Sequence, residues 1–204
     1  MAINSGEFKS TIGLDKLYYA PITKDDATGY TPGTPVWLAP SATLTIATAN
    51  NIATQYADDS AFDTSNSEGE STLTITVTNV PLVTAAALLG KTFNASNGMM
   101  IDGSSAQSPD LALSFRAMKS NGKYRYIQYL KGSFTMNDED YETKGANVSP
   151  KTVTLVYTAL STIFKFATAS GKTESVKRVR VDEDETGAVV TSWFTQVQVP
   201  PTVP

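Results

Sequence analysis

The feature that most constrains this chain is strict alternation with a period of two. From Thr72 to Thr78, Leu73, Ile75 and Val77 point to one side while Thr72, Thr74, Thr76 and Thr78 point to the other. Only an extended strand places successive side chains on opposite faces, and threonine on the second face suits a strand buried on one side and wet, or in contact, on the other. The pattern returns where Leu111, Leu113 and Phe115 alternate with Ala112, Ser114 and Arg116. Ser120-Asn121-Gly122 then supplies a hairpin turn before the aromatic run from Tyr124 to Leu130. Further strands are expected at Leu17 to Ala20, Thr43 to Thr48, Val153 to Tyr157, Ser175 to Val181 and Val189 to Val199, separated by Gly, Pro, Asn or Asp clusters. That spacing predicts a mainly β sandwich or partly closed barrel.

One short helix stands apart. Asn79 is placed to cap it, Pro81 fits its first turn, Leu82, Ala85, Ala86 and Leu89 form an apolar stripe, and Gly90 closes it. Three stretches read as irregular: an N-terminal arm over residues 1–13, a polar segment from Ala49 to Ser71, and a Pro-containing tail over 198–204. Residues 14–197 are then one domain, with 49–71 as a long loop within it. A structureless loop of that length inside one domain is usually functional. Tyr56 and Phe62 within it point to docking on a neighbour or on its own sheet.

Composition removes most chemistry. The 204 residues contain no Cys and no His, which takes away disulfides, thiolate nucleophiles, imidazole bases and nearly all transition-metal sites. Carboxylates, lysines, tyrosines and hydroxyls are what is left. The net charge of −4 argues against a nucleic-acid binder, whose affinity comes mainly from neutralising phosphates. The first residues lack the basic and apolar regions of a secretory signal, so synthesis in the cytoplasm is expected, and no apolar run reaches the roughly 20 residues of a membrane-spanning helix. Asn94-Ala95-Ser96 matches a glycosylation acceptor by chance on this reading.

Each candidate motif lacks a part that its chemistry needs. Gly90-Lys91-Thr92 and Gly171-Lys172-Thr173 resemble the end of a phosphate loop, but the glycine required five residues earlier is Ala85 or Phe166. Asp182-Glu183-Asp184-Glu185-Thr186-Gly187 begins like a calcium loop, yet position 12 is Trp193 rather than a bidentate Glu, which leaves a solvated hairpin turn. Asp138, Glu139, Asp140 and Glu142 are more simply a charged loop than a glycosidase pair. Lys177, Arg178 and Arg180 are followed at once by four acids, so a salt-bridged strand or a subunit contact fits better than a DNA site. Alternation places Tyr124 and Tyr126 on one face and Tyr129 on the other, which suits packing. Neither catalytic residues, metal ligands nor cofactor-binding residues are assigned, and the chain is read as no enzyme and as needing no cofactor.

Several segments taken in order carry a family resemblance. They are Gly13-Leu14-Asp15-Lys16-Leu17-Tyr18-Tyr19-Ala20, Gly33-Thr34-Pro35-Val36, Gln55-Tyr56-Ala57-Asp58-Asp59, the helix ending Leu88-Leu89-Gly90, Tyr129-Leu130-Lys131-Gly132-Ser133-Phe134 and Glu142-Thr143-Lys144. The chain resembles the major tail tube proteins of long-tailed phages with non-contractile tails, over roughly residues 10–160.

The resemblance implies two packed antiparallel β-sheets with a flanking helix, six copies to a ring, and rings stacked into a hollow virion tail tube through which DNA passes without specific binding. It implies as partners other copies of the chain, then tape measure, tail terminator and distal tail proteins, with no membrane contact. On this reading Tyr56, Asp58, Asp59 and Phe62 belong to the assembly loop, and Asp110, Asp138, Glu139, Asp140 and Glu142 are candidates for acids facing the lumen. A glycan-binding or virion-decorating β-sandwich, and a tube protein of a phage-derived secretion device, are the competing readings.

Overall fold

In the computed structural model, residues 9–136, 143, 151–169 and 172–200 are described. Two antiparallel sheets face each other and curl into a half-barrel, the architecture of a β-sandwich. The larger sheet contains β1 (Thr11–Asp26), β2 (Gly29–Pro32), β3 (Val36–Ala39), β8 (Leu111–Lys119), β9 (Tyr124–Tyr129) and β14 (Arg178–Asp182), in the order β14-β9-β8-β1-β2 with β3 also on β1. The smaller sheet runs β10 (Lys131–Met136), β11 (Val153–Leu160), β5 (Ser60–Val77), β4 (Ser41–Ala57). Two small hairpins, β6 (Thr92–Asn94) with β7 (Met99–Ile101) and β12 (Lys165–Ala169) with β13 (Lys172–Ser175), complete the strands.

The alternation that singled out Thr72–Thr78 lies in β5, second from the edge of the smaller sheet, and Leu73, Ile75 and Val77 are fully buried. Cross-strand register turns that pattern into rows. Leu44, Ile75, Leu155 and Met136 form one inward row, and Ile46, Leu73, Tyr157 and Phe134 the next. The outward rows are Thr43-Thr76-Thr154, Thr45-Thr74-Val156-Thr135 and Ala47-Thr72-Thr158-Ser133. Opposite the inward rows lie Leu17, Tyr19, Leu113, Phe115 and Tyr129 of the larger sheet. Tyr157 is buried there and donates its hydroxyl to the carbonyl of Leu111 at 2.7 Å.

β1 stays on course by a bulge. Asp15 opposes Arg116 and Tyr18 opposes Ser114, so one extra residue is inserted, and Lys16 takes φ of 54° there. The shift keeps Leu14, Leu17 and Tyr19 in contact with the core.

The helix α1 (Leu82–Leu89) forms as expected and ends at Gly90, whose φ of 66° is left-handed. A Cβ at Gly90 would stand 1.8 Å from the carbonyl oxygen of Gln107, so the cap is also a point of close chain approach. Its start and its stripe differ from expectation. Pro81 is the N-cap and Asn79 Oδ1 only accepts the next N–H, from Val80. Leu88 is fully buried while Leu82 is exposed, because the helix rests on β10 with its second half.

Three stretches read as irregular, and two read as strands, come out otherwise. β1 starts at Thr11, inside the expected arm, because Thr11 and Gly13 pair with Lys119 and Met118; residues 1–8 lie outside the described region. The polar segment Ala49 to Ser71 is not a loop but the outer half of the β4–β5 hairpin, held by ladder bonds that continue from the buried half. The Ser175 to Val181 run breaks into the end of β13 and the start of β14. Val189 to Val199 forms turns, not a strand, because it has no strand partner. It lies across the outer face of the larger sheet, where Trp193 and Val197 are buried and Phe194 packs on Tyr18 and Tyr126. Gln128 fastens it by donating Nε2 to the carbonyl of Gln198 at 2.7 Å while its Oε1 accepts the Gln198 N–H at 3.1 Å. Gln198, assigned to the free tail, is thus tied down, and residues 201–204 are outside the described region.

Candidate assembly surfaces

The exposed half of the β4–β5 hairpin is a two-stranded ribbon. Its ladder runs from Asn50 opposite Glu68 to Ala57 opposite Ser60. Two residues, Asp58 and Asp59, make the tip with φ of 50° and 59°, the double left-handed geometry of a type I′ turn that aspartate tolerates. A bulge at Gln55 and Tyr56 leaves Phe62 without a register partner. Residues 49–56 and 58–68 are exposed on both faces of the ribbon. Tyr56 and Phe62 are 72% and 75% exposed, and Ile52 67%. A solvated two-stranded ribbon is marginal by itself, and these aromatics have nothing to pack on within the described chain.

The sequence places Tyr56, Asp58, Asp59 and Phe62 together, and the structure gathers them at the ribbon's end. The contact at its base could not be anticipated. Lys177 Nζ reaches Glu68 Oε1 at 2.5 Å and the carbonyl of Gly69 at 2.7 Å, which anchors the ribbon to the chain leading into β14. That hydrogen bond, together with the field of Lys177, holds the Glu68 carboxyl below its usual range.

β4 is also an edge. It pairs with β5 alone, so along its 17 residues the other side makes no ladder bond among the described residues. β10, at the opposite edge, is shielded, since its Phe134 N–H donates to Ser108 Oγ and Ser108 Oγ donates to the carbonyl of Leu88. An edge of that length without a ladder partner among the described residues is a template for pairing with another chain.

The acidic candidates divide. Asp110 immediately precedes β8 in the larger sheet and lies 3.4 Å from Lys131 Nζ. Asp138, Glu139, Asp140 and Glu142 lie outside the described residues. Asp182 to Glu185, read as a solvated hairpin turn, instead folds back on the β8–β9 hairpin. Lys119, only 3% exposed, bonds Asp182 at 3.0 Å and Asp184 at 2.6 Å, and Arg125 grips Asp182 with two nitrogens at 2.6 and 2.7 Å. The Arg125 fork, outweighing partial burial and aided by Lys119, lowers the Asp182 carboxyl to about 2. Asp182, Glu183 and Asp184 are thus engaged in tying β14 to the hairpin, while Glu185 borders a shallow cleft with Arg125 and Arg180.

Two sheets, an edge strand with no second ladder partner among the described residues, and a ribbon exposed on both faces define a β protein whose free surfaces suit contact with other protein. No curated protein matches the chain. The family model for the phage tail tube protein matches residues 33–186, and the chain belongs to that family. It is a structural tail tube subunit and a component of the virion tail. The matched span takes in the whole β4–β5 hairpin, the helix and β14.

Proposed function

We propose that copies of this chain associate head to tail into closed rings, six to a ring, which stack into a hollow tube that conducts DNA, without catalysis. The observation that carries the reading is the β4–β5 ribbon, exposed on both faces at residues 49–56 and 58–68 and continuous with an edge of β4 that has no ladder partner among the described residues. A heterologous interface whose rotation closes makes a ring, and ring formation gives every edge a neighbour. The threonine rows supply a hydrated sheet face without large apolar patches, suited to a lumen wall. A net charge of −4 is compatible with a wall that repels DNA and lets it slide. Other copies of the chain are the first partners in this scheme, with tape measure, tail terminator and distal tail proteins meeting the finished tube.

Electron microscopy of the concentrated purified protein tests it. Rings or tubes of uniform diameter are expected; a monomer that stays single at every concentration overturns the proposal. A ring structure with a positive lumen potential would remove the repelling wall while leaving the tube.

A further inference from the structure

The smaller sheet does not cover the whole inner face of the larger one. Between the edge of β4 and the β9–β14 side a cleft of about 380 Å³ remains open. Its floor and wall are apolar, with Leu44 and Ile46 from β4 facing Ala117 and Ile127, while Arg125, Arg178 and Arg180 form its rim. Arg125 is neutralised by Asp182. Arg178 donates to the Tyr129 hydroxyl at 3.1 Å and Arg180 has no hydrogen-bond or ion-pair partner, and neither has a carboxylate at ion-pair distance among the described residues. Glu68, whose carboxyl feels both arginines, is already held by Lys177. Two guanidinium groups without an ion-pair partner among the described residues, Arg180 also bordering Asp182 and Glu185, stand beside the apolar wall and form a surface that fits an acidic segment carrying aromatic side chains.

We propose that the tip of the ribbon from a second copy of this chain occupies the cleft, with Phe62 on the apolar wall and Asp58, Asp59 and Asp63 toward Arg178 and Arg180. The tip matches in both respects, since it combines three carboxylates with the exposed Tyr56 and Phe62. It cannot serve its own cleft. Eight ladder positions run from Asn50 to Ala57, about 24 Å of extended strand, so the tip stands off from the body unless the ladder breaks. Tip and cleft are different surfaces, so the contact is heterologous and propagates from copy to copy. This inference rests on the self-assembly proposed above and names the two surfaces that meet.

Because the chain has no Cys, two single-cysteine variants report the contact without background. Phe62→Cys and Ile46→Cys proteins, purified separately, mixed, assembled and oxidised, should yield the 46–62 disulfide between chains. Arg180→Glu, at an exposed residue, and Asp58→Asn with Asp59→Asn, which keep the left-handed turn, should each raise the concentration needed for assembly about tenfold with unchanged circular dichroism. If wild-type tubes form but these variants assemble normally and no 46–62 disulfide appears, the docking is overturned and the tube stands. A disulfide between two Phe62→Cys chains alone, or a Phe8→Cys protein cross-linking to position 46 in its place, also overturns it. If the wild type never assembles, the tube reading fails and the docking with it.

Discussion

Asp25 and Lys131 meet 2.8 Å apart although 106 positions separate them in the chain, and Asp25 is the better buried, with its side chain 2% exposed. The same carboxylate accepts the backbone N–H groups of Ile163 and Phe164 at 2.9–3.0 Å. One buried anion therefore ties the β1–β2 hairpin to the start of β10 and to the chain before β12. Asp25→Ala should cost about 3–5 kcal/mol, since it leaves two amides without an acceptor and Lys131 with only the more distant, half-exposed Asp110. Lys131→Met should cost less, about 1.5–3 kcal/mol, because the amides still hold the carboxylate. Urea denaturation of the two variants checks the order.

Acid should act through the same groups. Burial raises the Asp25 carboxyl, but the Ile163 amide, Lys131 and the Phe164 amide together bring it below its ordinary value. Asp182 lies at about 2 against 3.8 for a free aspartate. A carboxyl lowered by folding contributes its full stabilisation above the unfolded value and loses it as pH falls through the folded one. The melting temperature should therefore hold down to about pH 5 and drop between about pH 4 and 2. In Asp182→Asn that acid limb should be shallower, with a lower plateau at neutral pH. An unchanged limb would show that other carboxylates control it.

Two glycines carry more than flexibility. A Cβ on Gly132 would lie 2.4 Å from the Thr158 carbonyl and 2.5 Å from Cζ of the Tyr157 ring, so the position is filled by its neighbour's aromatic ring. Gly132→Ala should destabilise by about 3 kcal/mol, and Gly90→Ala by at least as much, since it adds a backbone clash to a φ of 66°. Thermal unfolding would show it. Gly98, also at positive φ but with nothing near its Cβ, is the control and should lose about 1 kcal/mol or less.

What the sequence disclosed follows where burial is one-sided. β5 was legible because its two faces meet different surroundings, core for Leu73, Ile75 and Val77 and solvent-side rows for the threonines. β8 misled in part. Ala112 and Ser114 look like the wet face, yet both are buried, under Phe166 and Val197 and beside Gln128. A long-range cover cannot be read from local alternation. The ribbon escaped notice for the opposite reason. Residues 49–56 and 58–68 have no buried face, so no side-chain pattern marks them as strand, and the ladder extends into them from the buried half. Its aromatics and acids were nonetheless readable as a docking element, though the cleft was not, because it joins Leu44 and Ile46 to Arg178 and Arg180, more than a hundred residues away.

The ribbon supplies the sharpest separation of folding from assembly. Neither hydrophobic cluster includes any of the described side chains at 49–56 and 58–68, so shortening the ribbon should leave the core intact. Simple deletion of Gln55 to Asp63 would join Thr54 to Thr64, which face each other across the ladder and need a turn between them. Replacing Gln55–Asp63 by Asn-Gly provides a type I′ turn in register with that pair and keeps the Lys177–Glu68 anchor. The variant should unfold within about 1 kcal/mol of the wild type, as expected for a change at exposed positions. In sedimentation velocity and electron microscopy it should remain monomeric at concentrations where the full-length ribbon supports tubes. Tubes formed normally without the tip would show that the edge of β4 and the ring contacts are enough, and the ribbon would lose its assigned role.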